Sequence, residues 1–102
     1  MRVGTISALR LSIKGGNKVN IYKRAVDRFG EESRLNLMME EAAELIQACS
    51  KEQRGLDSNI NEEIADVEIM LEQLKYCKCY DRQEIDAQHN IKVKLLEGLI
   101  CR

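Results

Sequence analysis

Apolar residues recur along this chain with two different periods. Near the start Leu9, Leu11 and Ile13 alternate with Arg10, Ser12 and Lys14, the period of two that suits a strand or an extended arm. Gly15-Gly16 breaks that pattern. One strand makes no sheet alone, so residues 1–16 are expected as an N-terminal arm, strand-like or flexible, either mobile or paired with another chain. From residue 17 to residue 102 the spacing is helical throughout and predicts one helical domain. Asn17 is a candidate cap for a first helix with Val19, Tyr22, Val26 and Phe29 inward, ended by Gly30. Ser33 or the nearby acids open a long second helix to about Arg54, stopped by Gly55. Its apolar stripe is Leu35, Met38, Ala42, Leu45 and Cys49. Asp57 or Ser58 caps a third helix with stripe Ile60, Ile64, Val67, Leu71 and Leu74. Asp81 caps a fourth, with Ile85, Ile91, Leu95 and Leu99 inward. The short link between the second and third makes them antiparallel neighbours. The expected fold is all-α, a four-helix bundle-like core with a short extended arm.

Acidic residues sit on these helices in a repeated arrangement. Glu40, Glu41 and Glu44 lie in the second helix, Glu62, Glu63 and Asp66 in the third. A helix turns ~100° per residue, which puts Glu41 about 60–80° from its apolar stripe and Glu44 ~60° further round. Glu41 is therefore expected at the border of the buried face, bracketed by Leu37 and Ala48, while Glu40 points further into solvent. Glu63 and Asp66 repeat this offset with the same handedness, and Met70 takes the place of Ala48. An antiparallel pairing would then converge four carboxylates, Glu41, Glu44, Glu63 and Asp66. One such pair alone would read as solvated surface. Two copies in one register, with almost no basic residues between Leu35 and Leu74 beyond Lys51 and Arg54, point instead to a cation. Carboxylates ~4 Å apart repel by about 4 kcal/mol at an effective dielectric of ~20, so they must protonate, splay or bind ions. Oxygen-only ligands favour Mg²⁺ or Mn²⁺. A di-iron site would want Glu-x-x-His, and the single histidine, His89, lies on neither motif.

Composition narrows the function classes. With 102 residues the chain holds one small domain, whose modest core makes self-association expected. A net charge of −1 offers no basic face for nucleic acid or an anionic membrane. Apolar runs are too short to span a bilayer, and no apolar leader follows Arg2. Cys49, Cys77, Cys79 and Cys101 show no disulfide-scaffold spacing, and Cys49 falls on an apolar helix face as a small hydrophobe, which fits a reducing cytoplasm. Cys77-x-Cys79 lacks the second pair that zinc would need.

Glu40-Glu41-x-x-Glu44 followed by Glu63-x-x-Asp66 resembles the EExxE…ExxD signature of the MazG-like all-α nucleoside triphosphate pyrophosphohydrolases. The run RFGEESRLNLMMEEAAELIQACSK, Arg28 to Lys51, also resembles the lead-in of small, often phage-encoded, MazG-like proteins. The likeness covers about Val19 to Leu99 and leaves out the arm. It implies Mg²⁺-dependent hydrolysis of a (deoxy)nucleoside triphosphate between the α and β phosphates, in nucleotide-pool sanitation, by a dimer or tetramer with sites near subunit contacts. By motif position it implies metal ligation by Glu41, Glu44, Glu63 and Asp66, with Glu41 or Glu40 accepting a proton from the attacking water. Lys51, Lys92 and Lys94 are candidates for phosphate oxygens and Asn36 for a base or sugar. A solvated helix edge is the plainer reading of the last three, and surface or interface that of His89. The competing reading from another class is a non-catalytic helical oligomerisation module that keeps the fold.

Overall fold

The computed structural model describes residues 18–101, and these form four helices. The arm of residues 1–16, the cap at Asn17 and the side chain of Val19 lie outside the described residues. Helix α1 spans Lys18–Phe29, α2 Glu31–Gln53, α3 Ile60–Leu74 and α4 Arg82–Ile100. The chain is all-α across these residues, as the periodicity predicts.

Glycines set two of the breaks. Gly30 alone separates α1 from α2 at φ 87°, a left-handed backbone that side-chain-bearing residues avoid. Gly55, at φ 71°, follows the C-cap Arg54 and ends α2. Glu31 and Glu32 occupy the first turn of α2, where the helix dipole favours negative charge. The residue before α3 is Asn59, not Asp57 or Ser58. Ser58 is used otherwise, its hydroxyl donating to Glu52 Oε2 at 2.6 Å and tying the connection back to α2. Asp81 caps α4 as expected, accepting from the Glu84 backbone N–H at 3.1 Å.

α2 and α3 form the main packed pair, and α1 lies against both. Leu37 and Met70 meet at the centre of that pair, flanked by Met38 and Ile69. At one end Arg34 Nη1 donates to Gln73 Oε1 at 3.1 Å. These two contacts fix an antiparallel register.

The inward faces differ from the apolar stripes. On α2 the buried residues are Arg34, Leu37, Glu41 and Ala48, turned roughly 90° from Leu35, Met38, Ala42, Leu45 and Cys49. On α3 they are Glu63, Asp66, Met70 and Gln73, while Ile64 and Leu71 are exposed and Ile60, Val67 and Leu74 half-buried. The physical reason is a second set of positions at 3-4 spacing, 34-37-41-44-48 facing 63-66-70-73-77, in which polar and apolar residues mix. Cys49 is exposed, so it is no packed hydrophobe in this chain, and all four cysteines are free thiols.

The fourth helix does not turn its expected apolar face onto the other three. Every residue from Arg82 to Ile100 is exposed, including Ile85, Ile91, Leu95 and Leu99, and α4 has no substantial packing against α1, α2 or α3. The core is built from three helices, with Phe29 also left at the surface. No helix among the described residues is long and apolar enough to cross a membrane.

Candidate functional site

Continuing the register set by Arg34–Gln73 and Leu37–Met70 along the antiparallel pair puts Glu41 opposite Asp66, and Glu44 opposite Glu63. The face between the helices is thus layered: a cationic and amide layer, an apolar layer, then two acidic layers. Glu41 is 0% exposed, Asp66 1% and Glu63 3%, so these acids stand inside the pair rather than at its border. Glu44 is half-buried and opens the cluster to solvent.

One carboxylate oxygen each from Glu41, Glu44 and Glu63 lies within 4.8 Å of the others. Asp66 is not part of that trio. Octahedral Mg²⁺ binds oxygens at about 2.0–2.1 Å, which sets its ligand oxygens roughly 2.9 to 4.2 Å apart. At least two of the three pairs would be adjacent, so a pair at the 4.8 Å limit would close by up to about 1.9 Å, which takes a change of glutamate rotamer. Glu63 Oε1 is buried with no hydrogen-bond partner, while its Oε2 accepts from Asn59 Nδ2 at 2.7 Å. A buried, unsatisfied carboxylate oxygen costs about 1–3 kcal/mol or more, and ligation by a hard cation removes that cost. The donor set, all carboxylate oxygen with no thiol or imidazole, fits Mg²⁺ or Mn²⁺.

Arg34 was not legible as a site neighbour, and its place is informative. It is 4% exposed, stacks at 4.6 Å over the Phe29 ring, and donates to Gln73 and to Ser33 Oγ. Burial pulls its pKa below the ordinary value. Leu37 and Met70 stand between it and the acids. Arg34 precedes Glu41 by seven residues and Gln73 follows Asp66 by seven, and that heptad spacing was the signal available.

The remaining candidates are not gathered here. Glu40 is exposed, turned about 100° from Glu41 along the helix. Asn36 is exposed and about 140° from Glu41. Lys51 is exposed but lies two turns beyond Glu44 on nearly the same side of α2. Lys92 and Lys94 are carried by α4, which stands off from the pair, so within one chain neither meets the carboxylates. His89 is exposed, in keeping with a surface or interface role. No family model, no curated protein and no solved structure matches this chain.

Proposed function

We propose that the protein is a Mg²⁺-dependent nucleoside triphosphate pyrophosphohydrolase, cleaving its substrate between the α and β phosphates and acting as a homo-oligomer in nucleotide-pool sanitation. The reading rests on the resemblance of Glu40-Glu41-x-x-Glu44 and Glu63-x-x-Asp66 to the MazG-like signature. The observation that carries it is the convergence of Glu41, Glu44 and Glu63 oxygens within 4.8 Å in the interior of α2 and α3. Glu41, Glu44, Glu63 and Asp66 would hold the ion, Mg²⁺ or Mn²⁺ in its place. Bound there, it would offset phosphate charge and acidify a water. Glu41 or Glu40 is the chain's acceptor for that water's proton, and half-buried Glu44 marks the side from which a phosphate chain reaches the acids.

A panel of ribo- and deoxyribonucleoside triphosphates, with Mg²⁺ and with Mn²⁺, tests this by pyrophosphate release. At least one substrate turns over, and Glu44→Gln and Asp66→Asn abolish the release. No turnover across the panel removes the enzymatic reading. The placement of Lys92 and Lys94 away from the acids favours a second reading, a non-catalytic helical module. Calorimetric titration with Mn²⁺ separates the two. The enzyme binds the ion with a heat lost in Glu63→Gln, and the module gives none.

A further inference from the structure

Among the described residues, two apolar surfaces have no partner within the chain. The first is α4. Its Ile85, Ile91, Val93, Leu95, Leu96, Leu99 and Ile100 are 39–73% exposed and spread over roughly 200° of the helix circumference. A single neighbouring helix covers a stripe of about 100°, so α4 is patterned to lie against two. A 19-residue helix is also marginal by itself in water.

The second surface is the pair of stripes on α2 and α3. In antiparallel helices, offsets of the same handedness fall on the same side. Leu35, Ala42 and Ile46 on α2 therefore share one side of the pair with Ile64, Val67 and Leu71 on α3, at 3-4 spacing, and none of them is buried. That side is a platform two helices wide.

We infer that α4 of one copy docks on the α2–α3 platform of a second copy, and that the exchange is reciprocal. Three observations select a second copy as the occupant. One twofold contact covers both orphan surfaces at once, whereas platform on platform leaves α4 in water. The α4 side chains present on the order of 700 Å², close to the roughly 800 Å² each partner contributes to a stable interface. Charge also matches. Lys92 lies in the middle of the apolar arc of α4, and an ammonium covered there needs acidic company. By helical angle the exposed acids flanking the platform are Glu32 on α2 and Glu68 on α3, each about 60–70° from its stripe. The inference specifies the homo-oligomer proposed above and does not depend on metal or turnover.

Complementation tests it by sedimentation equilibrium. One variant, Leu96→Glu/Leu99→Glu, spoils α4, and another, Ile46→Glu/Leu71→Glu, spoils the platform. All four residues are exposed in the single chain, so the three-helix unit keeps its fold, checked by circular dichroism. The unaltered chain is expected as a dimer, and each variant alone as a monomer with dimerisation weakened about 100-fold or more. An equimolar mixture regains a heterodimer, because one good platform then meets one good α4. A monomeric unaltered chain overturns the proposal, with α4 folding back on its own platform. A dimeric α4 variant overturns it in favour of platform on platform, and a dimeric platform variant in favour of α4 on α4. In either dimeric case the homo-oligomer stands while this arrangement falls. A mixture that stays monomeric also rejects it.

Discussion

Between α2 and α3 the chain buries an arginine, two glutamates, an aspartate and a glutamine, while along α4 it leaves seven large aliphatic side chains in water. The usual partition of polar outside and apolar inside is inverted in both places. Buried carboxylates oppose folding through desolvation and mutual repulsion, so their position reflects a task other than stability. Exposed leucines on a helix oppose solubility, and the docking inferred above would cover them. On the proposals above, the first region would hold an ion and the second would meet a protein surface.

Experiments can break or sharpen that contrast. The largest expected effect is on turnover, where Glu63→Gln lowers pyrophosphate release by about 100- to 1,000-fold, measured at saturating Mg²⁺. Unchanged turnover in that variant would separate the acidic interior from any catalytic role. Next comes the apolar layer, where Met70→Ala opens a cavity beside Leu37 and costs about 2–5 kcal/mol in urea unfolding, because Met70 is wholly buried. A cost under 1 kcal/mol would mean that this layer does not hold the pair together. Without metal, Glu63→Gln is expected to melt higher, by about 4–8 °C for each ~1 kcal/mol of relieved charge burial. A lower melting temperature would show the carboxylate to be stabilising by itself.

The smallest effect concerns Cys77. Burial raises its thiol above the ordinary value of 9.0, with Glu31 adding to the shift. The unfolded thiol ionises first as pH rises, so the contribution to stability is whole below that pKa and is lost as pH climbs towards the folded value. Melting temperature should therefore fall more steeply above pH 9 in the native chain than in Cys77→Ala. In the same range Cys49, Cys79 and Cys101, all exposed, should alkylate ahead of Cys77.

Much of this was written locally. Gly30, Gly55 and Asp81 mark breaks and a cap because their roles depend on backbone conformation and near neighbours alone. The repeated acids were legible because a doubled offset of fixed handedness survives any choice of inward face. The inward face itself was not. Hydrophobic periodicity weights Leu35, Met38, Ile64 and Leu71, and it assumes that the most apolar side of a helix meets its own chain. Here the helix partner in the chain lies on the Arg34-Leu37-Glu41-Ala48 side. The misplacement of Ile85, Ile91, Leu95 and Leu99 has the same cause, since amphipathic pattern reports that a face will be covered but not by which molecule. Residue type does not single out Asn59 before α3, because Asp57 and Ser58 are equally good caps by type.

Leu37 and Met70 form a hydrocarbon layer one helical turn thick, with Arg34 on one side and Glu41 and Asp66 on the other. At contact distance Arg34 and Glu41 would neutralise each other, and the acidic end of the pair would hold its own guanidinium where the proposed ion would sit. Held about 10 Å apart, roughly one heptad, their attraction falls below about 2 kcal/mol at an effective dielectric of ~20. Two unreactive side chains thereby hold the guanidinium a heptad away from the acids that would take the proposed ion.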